Sequence, residues 1–152
     1  MTYTIDAEIR YTQDMGESHL AGYREIEHIA DWELEVWAPT LPALLEQAAR
    51  GMYVLSGIKL RETSREMRKI VLHFIDMESL LVSFLSNLLY FGETQEIGFD
   101  GFLLGMKDDR LEAVLYGATI AWQTKEIKAV TYHNLKVVKT PEGFRTRIVF
   151  DV

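Results

Sequence analysis

Between Tyr23 and Trp37 the chain alternates with a period of two. Glu25, Glu27, Glu33 and Glu35 take odd positions, and Ile26, Trp32, Leu34 and Val36 take even ones. That repeat sends successive side chains to opposite sides, so it predicts strand with one apolar face. At Thr40 the period changes. In LPALLEQAARGMYVLSG the residues Leu41, Leu44, Leu45, Ala48, Ala49, Met52 and Leu55 recur at helical spacing. Thr40 is the expected N-cap, Pro42 suits the first turn, and Gly57 is the expected stop. A one-faced strand followed by a one-faced helix must bury the two faces together.

The remaining chain repeats these two periods. Alternation of Tyr3, Ile5, Ala7, Ile9 and Tyr11 predicts an early strand, followed by a polar loop from Thr12 to Gly22. DMESLLVSFLSNLLYFG predicts a second helix capped by Asp76, with a stripe of Leu81, Phe84, Leu85 and Leu88 and an end at Gly92. Strands are predicted over Ile70–Phe74, Phe99–Met106, Leu111–Trp122, Ala129–Val138 and Phe144–Val152. Lys107–Arg110 and Thr140–Gly143 read as hairpin turns. The expected fold is α+β: one domain over residues 1–152, a mostly antiparallel sheet with two main helices packed against it.

Charge and composition narrow the function. The 152 residues are 48% hydrophobic, carry a formal net charge of −7 and contain no cysteine. Phosphate neutralisation supplies most nucleic-acid affinity, so this balance argues against strong direct binding to RNA or DNA. Thiolate metal sites are excluded, and hard cations or a basic protein partner fit better. No apolar run nears the roughly 18 residues that span a bilayer, and MTYTIDAEIRYTQD is not a signal peptide. A cytoplasmic location is expected.

Three stretches could carry chemistry. In EHIAD, alternating glutamates read first as a solvated face, and His28 as a hydrogen-bonded core residue. Asp31 stands where the strand pattern restarts. At the end, Asp151 shares a strand face with Arg145 and Arg147, which reads as a surface ion pair. The sharper reading clusters Asp31, Asp151 and the Val152 α-carboxylate, an arrangement whose repulsion calls for a cation. In KAVTYHN, Lys128 lies on an expected strand. There is no phosphate loop, no G-x-S-x-G elbow and no H-E-x-x-H helix, and His19, His28, His73 and His133 lack zinc spacing. Trp32, Trp37 and Trp122 are expected in the core.

Taken in order, these stretches resemble the archease family. EHIAD is similar to its early Glu-His-Thr-Ala-Asp signature, with Ile29 for threonine. LPALLEQAARGMY and MESLLVSFLSNLLYFGE are similar to its helices, KAVTYHNLKV to its Lys-Ala-Val-Thr-Tyr-His strand, and VFDV to its ending. The resemblance implies a non-enzymatic, chaperone-like accessory protein. Its expected partner is an RtcB-type RNA ligase, whose guanylylation and multiple turnover it promotes in tRNA splicing and RNA repair. A tRNA methyltransferase is a further implied partner. It also implies a divalent metal, calcium first, with magnesium or manganese as alternatives, held by Asp31, Asp151 and Val152. Lys128 and His28 are the residues expected to serve partner activation, and no catalytic residue is expected. Two features depart from the family: the polar face of the second helix, Ser79, Ser83, Ser86 and Asn87, is uncharged, and the loop from Thr12 to Gly22 has no clear counterpart. The competing readings are a metal-dependent hydrolase using His28 or His133 as base, and a metal-free acidic interaction module.

Overall fold

A computed structural model describes residues 20–26 and 32–152. The early strand over Tyr3–Tyr11, most of the loop after it, His28 and Asp31 lie outside the described residues. The elements run β1 (Gly22–Ile26), β2 (Trp32–Ala38), α1 (Leu41–Ser56), β3 (Lys59–Leu60), β4 (Glu66–His73), α2 (Met77–Gln95), β5 (Ile97–Lys107), β6 (Arg110–Trp122), β7 (Ala129–Val130), β8 (Val138–Thr140) and β9 (Gly143–Asp151).

The strands form two antiparallel sheets. In the first, β1 pairs with β2 and β2 with β9, while β8 and β7 pair with the start and end of β9. In the second, β6 is central, with β5 on one side and β4 and β3 on the other. Both helices pack against strands and against each other, α1 mainly on β2 and α2 mainly on β5. One continuous core results. Leu34, Val36, Ile148 and Phe150 of the first sheet, Leu44, Leu45 and Met52 of α1, Leu81, Phe84 and Leu85 of α2, and Leu111 and Leu115 of β6 are all buried. The α+β expectation is met.

Local chemistry explains the helix ends. Thr40 accepts a hydrogen bond from the Ala43 amide at 3.2 Å, and Gly57 takes the left-handed conformation at φ 67° that closes α1. Asp76 accepts from the Ser79 amide at 2.7 Å; that bond holds its carboxyl below the ordinary value. α1 also lies unusually close to the first sheet. A Cβ on Gly51 would stand 2.6 Å from Leu34 Cδ2 and 2.9 Å from the Tyr23 ring.

Four expectations are corrected. α2 does not end at Gly92; it runs three residues further, and Glu96 supplies the left-handed stop at φ 55°. Ala129–Val138 is not one strand. The chain leaves the ladder after Val130 and turns, with Asn134 at φ 53°, before resuming at Val138. Trp122 is 60% exposed rather than core. Glu33 and Glu35 are on the face opposite Leu34 and Val36, as the alternation requires, yet that face is not simply solvated there: both are buried.

Candidate functional site: the end of the first sheet

The carboxylates of the first sheet meet arginines from elsewhere in the chain. Arg24 and Arg145 both bond Glu35, the latter at 2.9 Å, and Arg147 reaches Glu33 at 3.6 Å. The guanidiniums of Arg24 and Arg145 also lie 6.0 and 5.6 Å from the Trp37 ring. Burial alone would raise the Glu35 carboxyl, but hydrogen bonds and charge from the two arginines outweigh it and hold it below its usual range. The arginines expected beside Asp151 are therefore engaged further along the strand.

Toward the end of β9 three segments converge. Trp32, the residue after Asp31 in the chain, stands opposite Phe150 on one edge of β9. On the other edge Val130 stands opposite Phe150 and Ala129 opposite Asp151. The amide of Lys128 donates to the Asp151 carbonyl at 2.8 Å, and the Thr131 amide and hydroxyl both donate to the Val149 carbonyl. Asp151 is exposed, whereas Val152 is half-buried and packs against the core. Among the described residues no cation lies within ion-pair distance of the Asp151 carboxylate.

A strap, residues 123–128 between β6 and β7, holds this end together. The Ser56 carbonyl, at the last turn of α1, accepts from the Thr124 amide, the Lys125 amide and the Thr124 hydroxyl at 3.0 to 3.1 Å. So anchored, the strap carries Lys125 to Trp32, where its ammonium lies 5.0 Å from the ring centroid. Lys125 brings a second cation to the end where Lys128 already stands. No periodicity or motif marks Lys125, since it lies in an aperiodic stretch. Beside the strap is a cleft of about 380 Å³ between Tyr53 of α1 and Leu88 and Leu89 of α2, reaching Lys128. Burial pushes the Tyr53 phenol well above its ordinary value, so it is a neutral hydroxyl.

The donor set can be judged in part. Among the described residues no group of three or more histidine and carboxylate side chains could hold a metal ion. Asp151 offers an exposed carboxylate, the oxygen chemistry that hard cations prefer. The implied partner ligand Asp31, and His28 with it, lie outside the described residues. Lys128 is exposed, and so is His133 in the turn after β7, where its ring contacts Asn134. No described helix is long and apolar enough to cross a membrane.

Comparison with known proteins gives one consistent result. The profile of the archease protein family (MTH1598/TM1083) matches residues 23–152. The protein archease of Methanosarcina acetivorans is 34% identical over 142 residues, covering 86% of this chain and 95% of that protein. That of Methanosarcina barkeri is 30% identical over 139 residues with the same coverage. Among solved structures, an archease from Thermotoga maritima, described as a possible chaperone, superposes with a TM-score of 0.65 at 23% identity. The superposition covers 85% of this chain and 96% of that one. Protein 1598 of Methanobacterium thermoautotrophicum gives a TM-score of 0.64 at 21% identity, over 86% and 99%.

Proposed function

This chain belongs to the archease family, and on that footing we propose that it is an accessory protein for an RtcB-type RNA ligase, promoting guanylylation and repeated turnover without catalysing a reaction itself. The observation that carries the reading is the bond from the Lys128 amide to the Asp151 carbonyl, with Trp32 across the same strand. It ties two of the stretches that resemble family signatures to one end of one sheet, and the segment following the third stands beside them.

The residues have distinct tasks in this reading. Asp151 presents an anionic group that fits a basic rim on the ligase or, with Asp31 and the Val152 carboxylate, holds a divalent cation. When bound, such a cation supplies positive charge that can neutralise phosphate oxygens. Lys128 gives the same end an exposed cation for acidic groups of the partner. The fixed strap keeps these charges at set positions, so complementarity is built in before the encounter. Binding favours a guanylylation-ready ligase only if this surface contacts that state more strongly than the idle one.

The test is a single-turnover guanylylation assay on a cognate ligase, with and without this protein. Faster guanylylation is expected, and loss of that effect in Asp31→Ala, Asp151→Ala and Lys128→Ala. An unchanged rate with the unaltered protein would overturn the activator reading. Calorimetry with calcium, magnesium and manganese tests the metal separately. Residues added after Val152 would convert its α-carboxylate to an amide and are expected to weaken metal binding. Equal affinity in the extended chain removes Val152 from the ligand set.

A further inference from the structure

β5 is bonded to β6 along one edge, and no described strand lies along the other. Among the described residues its eleven positions leave a long unpaired edge, and such edges pair with other chains unless something blocks them. The first part is blocked. A bulge between Phe99 and Gly101 sets off Asp100, whose carboxylate is held by Arg65 through two bonds of 3.1 and 2.8 Å. Beyond that bulge, Gly101 to Lys107 carries no charge until Lys107.

The side chains of this unguarded stretch form a pattern that its own fold does not explain. Phe102, Leu104 and Met106 pack against the core, whereas Leu103 is 64% exposed on the opposite face. Gly105 follows Leu103 on that exposed face. A Cβ there would meet nothing within 4 Å, and the backbone is not in the left-handed region. Among the described residues neither space nor conformation requires a glycine here, although glycine weakens a strand. A close approach from outside would require one.

We propose that the free edge of β5 pairs antiparallel with the same strand of a second copy, about a two-fold axis at Leu104. In that register Leu103 of each copy stands opposite Gly105 of the other, and the exposed side chain fills the open space. Phe102 stands opposite Met106, and Gly101 opposite Lys107. Toward each end Lys107 of one copy comes next to the Asp100–Arg65 pair of the other, with Asp108 following it. A two-fold interface needs a surface that complements itself. Leucine and glycine placed equally about Leu104 meet that condition. This is what favours a second copy over an unrelated strand.

Sedimentation velocity over a concentration series tests the pairing. The unaltered chain is expected to show a monomer–dimer equilibrium. Leu103→Lys and Gly105→Val should each raise the dissociation constant about tenfold or more. Gly105→Val should do so while keeping or raising the melting temperature, because the space it fills is empty in one chain. The chain lacks cysteine, so Leu104→Cys gives a further readout. Across the axis the two thiols would come within disulfide range, and mild oxidation should cross-link them faster than Val138→Cys, an exposed control. A chain that is monomeric at every concentration overturns the proposal, including the case in which this edge serves only a different protein. So does a dimer indifferent to both substitutions at 103 and 105, or cross-linking no faster than the control.

Discussion

Glu35 and Asp151 share one face of the first sheet, yet their surroundings differ. Glu35 is buried and bonded to two arginines, one of them from β9. Asp151 is exposed at the end of β9 with no described cation beside it. The same functional group is structural in the middle of the sheet and available at its end. A carboxylate matched by guanidiniums has its charge satisfied within the fold, and one left unmatched has that charge to offer elsewhere.

The contrast can be broken most easily at Glu35. Glu35→Ala removes a buried, doubly bonded carboxylate, and its partners remain largely solvated. A loss of about 2 kcal/mol is expected by denaturant unfolding; a loss as small as that at an ordinary surface site would show the cluster to be ornamental. Acid should reveal the same group. A carboxyl held below its unfolded value of 4.5 adds stability above that value and loses it as the pH falls through the folded value. The gap in melting temperature between the native chain and Glu35→Gln should therefore shrink as the pH falls from about 7 to about 3. A constant gap would mean that the ion pairs are not its source.

Smaller effects are expected at Arg145 and Asp151. Arg145→Ala should cost about 1 kcal/mol, since it loses both Glu35 and contact with Trp37, with the exposed guanidinium limiting the effect. Asp151→Asn should change stability by less than about 0.5 kcal/mol. A large loss there would make Asp151 a structural carboxylate like Glu35 and weaken its proposed role at an interface.

Much of the architecture was legible because local periodicity determines it. The Leu44, Leu45, Ala48, Met52 stripe and the Thr40 and Gly57 caps define α1 without reference to the rest of the chain. Alternation likewise assigned Leu34 and Val36 to the core. What was missed depends on distant partners or on single backbone angles. Glu35 looked solvated because Arg145 lies 110 residues away in the chain. The extension of α2 past Gly92 depends on Glu96 adopting a left-handed conformation, and the break after Val130 involves another at Asn134. At the candidate site, Lys128 was singled out through similarity of motifs, and neither motif nor spacing brought it to Asp151. Lys125 was invisible, because its position is set by bonds to Ser56 and not by any repeat.

That single Ser56 carbonyl links the last turn of α1 to the end of β9. Since it anchors the strap whose Lys128 grips the last strand, anything that clamps the chain terminus should also quiet local opening at the far end of α1. Slower deuterium uptake at Thr124 and Lys125 on adding a ligase would thus report engagement of the terminus from a distance, with no label attached to the contact itself.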